Sequence, residues 1–200
     1  MMRIGVLALQ GDVREHSRML AEAGVEPVSV KWPRELAALA GLIIPGGEST
    51  TIGKLLRRFD LLAPLQQAVR EGFPVYGTCA GMILLADRVE GAGVDQPTIG
   101  GMDLTVRRNA FGRQRESFEA DLDMPAVGDR PLPAVFIRAP LIEEVGPEVE
   151  VLARLPDGRV VAARQANLLV TSFHPELTND ARLHGYFAAM CAAARDPAAV

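Results

Sequence analysis

The sequence predicts an α/β fold: a doubly wound, mostly parallel sheet flanked by helices, with antiparallel strands appended. Three observations carry that expectation. Apolar runs without polar alternation recur at residues 4–9, 42–44, 74–76 and 168–173, as in strands covered on both faces. The early runs are each followed by a turn signal and a stretch of helical periodicity, the alternation of a wound parallel sheet. After Arg88 the helical stretches give out until the C-terminus, and strand-like segments follow one another instead.

Residues 4–9 form the first strand and run into Gln10-Gly11-Asp12. Asp12 reads as a helix N-cap, with Glu15 three residues on completing a capping box. Val13, Ser17, Leu20 and Ala23 share one face of that helix, and Gly24 stops it. Residues 25–30 form a second strand, which Pro27 assigns to an edge. Pro33 opens a short helix through residue 40. Residues 42–44 are a third strand, leading into Pro45-Gly46-Gly47-Glu48-Ser49-Thr50, where Ser49 or Thr50 suits the cap of the next helix. Helices over 51–59 and 61–71 precede a fourth strand at 74–76, a tight turn at 77–81 and a helix over 82–87. Residues 91–101 are Gly-rich and irregular. Strands are expected at 104–107, 116–122, 134–137, 149–155 and 160–164, the last two joined by a hairpin centred on Asp157-Gly158. The last strand, 168–173, delivers His174-Pro175-Glu176, and an amphipathic helix over 178–195 closes the chain. Without repeats or long linkers, a single domain spanning 1–200 is expected.

Composition narrows the function classes. With 48% hydrophobic and 23% charged residues the chain is an ordinary globular one rather than a disordered one. The net charge of −4 argues against a nucleic-acid partner, though not against a small anionic ligand. Cys79 and Cys191 are the two cysteines, and neither lies in a CxxC pair or beside clustered histidines. No disulfide framework and no metal site is expected, and a reducing compartment fits. The apolar run at 4–9 is short for a signal-peptide core, and no stretch reaches the ~20 apolar residues of a membrane helix. A soluble, cytoplasmic protein is therefore expected, with no membrane association.

Gly77-Thr78-Cys79-Ala80-Gly81 has the spacing of G-x-S-x-G with cysteine for serine, between an apolar strand and a helix. Such a turn holds a nucleophile in strained backbone, and small neighbours let the chain double back. The helix that begins behind Cys79 favours thiolate through its amides and dipole. A thiol needs a base. His16 and His184 lie in expected helices and read as exposed or capping residues, whereas His174 follows an apolar strand, where α/β sites form. Glu176, two residues on, suits the carboxylate that fixes the imidazole tautomer. Gly46 and Gly47, at the end of a neighbouring strand, expose amides that with Ala80 would form an oxyanion hole. Arg107, Arg108, Arg113 and Arg115 cluster, and Arg138 follows a strand; most of this group reads as a solvated face. Cys191, in an Ala-rich helix, reads as core.

Gly-Gly-Glu-Ser-Thr at 46–50, Gly-Thr-Cys-Ala-Gly-Met at 77–82 and Ser-Phe-His-Pro-Glu-Leu-Thr at 172–178 resemble the triad-type (class I) glutamine amidotransferases. Residues 5–12, 107–114 and 136–140 narrow the resemblance to the glutaminase subunits of pyridoxal 5′-phosphate synthases. That resemblance implies hydrolysis of L-glutamine to glutamate and ammonia without a cofactor, the ammonia passing to a synthase subunit within a large hetero-oligomer. It implies Cys79 as nucleophile, His174 as base and Glu176 as its partner. Gly47, Glu48, Ser49, Arg108, Ile137 and Arg138 would contact glutamine, the isoleucine and last arginine through backbone groups. Three other assignments share parts of this pattern: the glutaminase of another amidotransferase, such as that of histidine biosynthesis; a non-catalytic binding subunit of the same fold; and a stand-alone cysteine hydrolase. Segments 107–114 and 136–140 weigh against the first, and the intact Cys79, His174 and Glu176 against the second.

Overall fold

The computed structural model describes residues 1–91, 93, 95–108 and 117–195. Its first half contains β1 (Arg3–Leu7), α1 (Val13–Glu22), β2 (Glu26–Val30), β3 (Gly41–Ile44), α2 (Ser49–Arg58), α3 (Leu62–Arg70), β4 (Val75–Thr78) and α4 (Ala80–Leu85). Among the described residues, seven strands follow with no α-helix between them: β5 (Ala86–Glu90), β6 (Met102–Arg107), β7 (Ser117–Leu122), β8 (Leu132–Ile137), β9 (Leu141–Val145), β10 (Glu150–Arg154) and β11 (Val160–Gln165). Strand β12 (Leu168–Thr171) and helix α5 (Arg182–Arg195) end the described chain. Short 3-10 turns occupy Pro33–Ala38 and Pro175–Leu177.

Five strands run parallel in the order β2-β1-β3-β4-β12, so the expected wound sheet is present and β2 lies at its edge, where Pro27 does no harm. The sheet continues through β11, β9, β6 and β5, antiparallel except for the β5–β6 pair. Strand β10 forms the expected hairpin with β11, and β7 and β8 make a separate antiparallel pair. Strand β12 lies between β4 and β11, which brings the last strand of the chain into the middle of the sheet.

The continuous apolar runs follow from burial on both faces. Along β3 and β4, Leu42, Ile44 and Val75 join one core, while Ile43 and Tyr76 join the other. Strand β12 divides in the same way, Leu168 and Val170 against Leu169. One core takes α2, α3 and α4 through Ile52, Leu56, Leu65 and Met82; the other takes α1 and α5 through Leu20, Leu183 and Phe187. No helix among the described residues is long and apolar enough to cross a membrane.

Several local expectations are corrected. The helix placed over 82–87 ends at Leu85, and Ala86–Glu90 is β5, because its exposed residues pair along β6. Strand β9 lies in a stretch left unassigned: Glu143 and Glu144 face outward and mask the apolar Leu141-Ile142. The last helix starts at Arg182 rather than 178, after the 3-10 turn that follows His174. Asp12 stands at the N-cap of α1 but makes no side-chain cap, and the Glu15 carboxylate accepts from Arg14 instead of closing a capping box. Helix α2 is capped by Glu48, not by Ser49 or Thr50.

The β4–α4 connection is closely packed. A Cβ on Gly81 would lie 2.2 Å from the Ile44 carbonyl oxygen, and one on Gly77 would lie 2.5 Å from the Gly81 carbonyl. Both obstacles are backbone, which has no rotamer through which to escape. Gly81→Ala is therefore expected to destabilise the chain by about 1–3 kcal/mol, the usual range for overpacking. Urea unfolding checks this; an unchanged midpoint would mean that α4 can move off β3.

Candidate active site

Strands β1, β3, β4 and β12 are neighbours and parallel, so their carboxyl ends share one edge of the sheet. Ligand sites of open α/β sheets form along that edge. The four turns there carry Gln10 and Asp12, Gly46 to Ser49, Cys79, and His174 with Glu176.

Cys79 joins β4 to α4 with φ 49° and ψ −102°, a conformation that side chains rarely adopt. Backbone bonds hold it there: its N–H donates to the Thr171 carbonyl at 2.8 Å, and its own carbonyl accepts from Met82 N–H at 3.1 Å. This is the strained elbow expected from the Gly-x-Cys-x-Gly spacing. Ala80 opens α4, so its N–H belongs to the first turn, where amides have no intrahelical acceptor.

His174 is anchored by its N–H, which donates to the Val135 carbonyl at 2.8 Å. Pro175 then starts the 3-10 turn that folds Glu176 behind the imidazole. His174 Nδ1–H donates to Glu176 Oε1 at 2.7 Å, and His174 lines the same cavity as Cys79. With Nδ1 committed, Nε2 is the nitrogen left for the sulfur. Gly46 packs under the ring, where a Cβ would lie 2.3 Å from Cε1. Burial by itself would push the imidazole down, but the Cys79 and Glu176 side chains, with their charges, raise it to about 10. Burial pushes the Glu176 carboxyl up, against the pull of His174.

A cavity of about 410 Å³ opens over Cys79. Among the residues singled out in the sequence, Gly47, Glu48, Ser49, Ala80, Arg108, Ile137, Arg138 and His174 line it with Cys79. Gly46 and Glu176 do not; they lie beneath and behind the His174 ring. Glu48 is an anchored carboxylate: it accepts from Thr50 N–H at 3.0 Å, from Thr51 N–H and hydroxyl at 2.7 Å, and from Arg108 Nη2 at 2.9 Å. Burial would raise it, yet the Thr51 and Thr50 donors hold it down at about 2. Arg108 Nη1 also donates to Gln96 Oε1 at 2.7 Å, and Gln96 Nε2 donates to Ser49 Oγ at 3.1 Å. Arg107 pairs with Glu143 on the surface, as expected of a solvated face, while Arg113 and Arg115 lie outside the described residues.

Gln10, Asp12, Ile83 and Pro140 also line the cavity and were not singled out. Gln10 Oε1 accepts from Glu48 N–H at 3.1 Å, and Asp12 Oδ2 lies 3.6 Å from His174 Nδ1. Their signal was available, since both directly follow a parallel strand, but Asp12 also satisfied the pattern of a helix cap. Asp12, His174 and Glu176 place one ligand atom each within 4.8 Å of one another, so a cation bound there would compete for the His174–Glu176 contact.

His16 and His184 depart furthest from expectation. Both are fully buried rather than exposed. α1 and α5 bring them together behind the site, His16 Nδ1 lying 2.9 Å from His184 Nε2. Burial drives His16 well below the usual imidazole range, helped by the positive charge on His174, and drives His184 down to about 3. Both rings are therefore neutral. Cys191 is buried, as expected.

Comparison with known proteins is decided by a family model, described as the SNO glutamine amidotransferase family, that matches residues 6–193. The chain belongs to that family. The chain is 60% identical over 188 residues to "Pyridoxal 5'-phosphate synthase subunit PdxT" of a Nocardioides species, covering 92% of this chain and 93% of that one. The protein of the same name from Frankia casuarinae is 62% identical over 185 residues, covering 92% of each. A crystal structure of a glutamine amidotransferase superposes with a TM-score of 0.89 at 49% identity, covering 94% of this chain and 98% of that one. Membership in the SNO glutamine amidotransferase family agrees with the wound sheet and with the elbow at Cys79.

The neutral histidines give this SNO-family chain an acid limit. A histidine depressed in the fold contributes stability that is present above its unfolded pKa of about 6.5 and is lost as pH falls toward the folded value. For His184 that window runs from about 6.5 down to about 3. His16 acts in the same sense, and Glu176, raised by burial, acts in the opposite one. Two groups outweigh one, so the thermal midpoint should fall steadily from pH 6.5 to pH 4.5. A flat profile over that range would mean that the pair takes up a proton without unfolding.

Proposed function

We propose that this chain is a glutaminase that releases ammonia from L-glutamine for a pyridoxal 5′-phosphate synthase, working through Cys79, His174 and Glu176. The observation that carries it is the elbow cysteine sharing one cavity with a histidine whose Nδ1 is held by a buried carboxylate. The kinship with proteins named as pyridoxal 5′-phosphate synthase subunits supports the acceptor reaction.

In the proposed cycle the Cys79 sulfur, its proton passed to His174, attacks the carboxamide carbon of glutamine. The oxyanion that forms is held by amides of the Gly46-Gly47 turn and of Ala80, each such donor being worth about 2.7–4 kcal/mol. The imidazolium is then the acid that protonates the departing nitrogen, and the elevated pKa of His174 suits it to hold that proton. Ammonia leaves, and a γ-glutamyl thioester remains on Cys79. Water, deprotonated by the now neutral His174, adds to the thioester; collapse returns the thiol and releases glutamate. Gly47, Glu48, Ser49, Arg108, Ile137 and Arg138, around the cavity, are the proposed glutamine contacts. The donors that fix Glu48 make it a rigid contact rather than a swinging one. A synthase subunit, joined in a large hetero-oligomer, is the proposed recipient of the ammonia, and the chain is proposed to act in the cytoplasm.

The test is ammonia release from L-glutamine by the native chain and by Cys79→Ala, each alone and with the synthase subunit. The native chain should be active and faster with its partner, while folded Cys79→Ala should show no release in either condition. Turnover by folded Cys79→Ala would remove the cysteine from the mechanism, and a native rate indifferent to the synthase subunit would remove that partner.

A further inference from the structure

Glu176 uses one oxygen on His174 and has a second. Oε2 is fully buried and has no hydrogen-bond partner among the described residues. A carboxylate oxygen left unpaired in the interior is costly, and the atoms around it decide whether the group stays charged. A second basic group, His16 Nε2, lies 3.5 Å from Oε2 on α1 and also lies 3.2 Å from Thr78 Oγ1 at the end of β4. On its other side His16 Nδ1 meets His184 Nε2 at 2.9 Å, and His184 Nδ1 has no partner among the described residues.

Two proton arrangements compete along this line. If His16 donates from Nδ1, its bare Nε2 lone pair points at the Glu176 oxygen, and His184 carries a buried Nδ1–H with nothing to receive it. If His184 donates from Nε2, His16 carries its hydrogen on Nε2, where Thr78 Oγ1 accepts it and Glu176 Oε2 faces it. His184 then keeps only a bare lone pair inside. The second arrangement replaces a repulsion by an attraction and leaves no orphaned N–H, which is the rarer defect in folded interiors.

We propose that His16 is a positioning residue: its Nε2–H, oriented by His184, faces the second oxygen of Glu176 and fixes the carboxylate that holds His174. It rests on the glutaminase assignment above and extends it from three residues to a buried line of five, running from Cys79 through His174, Glu176 and His16 to His184. α1 thereby takes part in the site at two points, through Asp12 at its start and through His16 one turn on.

The tautomer is tested on the native chain. Its three histidines can be labelled with nitrogen-15 and the protonated nitrogen of each read by NMR. The expected result is His16 protonated on Nε2; a hydrogen on His16 Nδ1 would overturn the proposal. The kinetic test uses two variants that divide the imidazole between them. His16→Gln places an amide near Nε2 and keeps the donor toward Glu176, whereas His16→Asn places it near Nδ1 and keeps only the contact with His184. With the synthase subunit present, Gln should retain most of the native kcat, and Asn should lose about a hundredfold at unchanged KM, the loss expected for a misplaced catalytic group. Equal kcat in the two variants, or losses that follow the thermal midpoint instead of the side chain, would reduce His16 to a packing residue. Absence of ammonia release by the native complex would instead remove the glutaminase assignment and leave the tautomer result to stand by itself.

Discussion

Everything at the site depends on how closely α4 approaches β3. The Ile44 carbonyl occupies the space where a side chain on residue 81 would begin, and Gly77 leaves no more room on the opposite side. Only with both positions bare can the chain turn from β4 into α4 within one residue, and that residue, Cys79, absorbs the turn as a positive φ. The strain is held by a backbone bond to Thr171 on β12, the strand that also delivers His174. Cys79 and His174 are thus tied to the same pair of adjacent strands, and their relative position is a property of the sheet rather than of a loop.

Electrostatics complete what the backbone begins. Glu176 is buried, which by itself favours the neutral acid, and His174 is nearly buried, which by itself favours the neutral base. Cys79 and Glu176 together reverse the outcome for the imidazole, which is held protonated well above its usual range. Around the mouth of the cavity Glu48, Arg108, Gln96 and Ser49 form a second set of paired groups. Each of these groups is already paired, so the mouth of the cavity is preorganised.

Much of this was legible in the sequence because it depends on local pattern. The elbow was visible because five consecutive residues carry both its cysteine and the small side chains that the turn needs. β1, β3, β4 and β12 were visible because strands covered on both faces lose the polar alternation that other strands show. What escaped was decided by distant partners. His16 and His184 have polar side chains on helices, and only the meeting of α1 and α5, 168 residues apart in sequence, turns them inward. Asp12 satisfied a local capping pattern, yet its carboxylate was drawn toward His174 across the β1 turn. Strands β5 and β9 carry outward-facing charges that resemble helix or loop composition, and pairing within the sheet overrides that resemblance.

The most direct measurement is peptide mass mapping after exposure of the chain to an electrophilic glutamine analogue, such as a chloroketone that keeps the α-amino and α-carboxyl groups. Cys79 faces the cavity, whereas Cys191 is packed against Gly41 inside the core. A single adduct on the peptide carrying Cys79, slowed in proportion to added L-glutamine, is the outcome that a substrate-directed nucleophile requires. Labelling that glutamine does not slow, or that falls equally on Cys191, would contradict it.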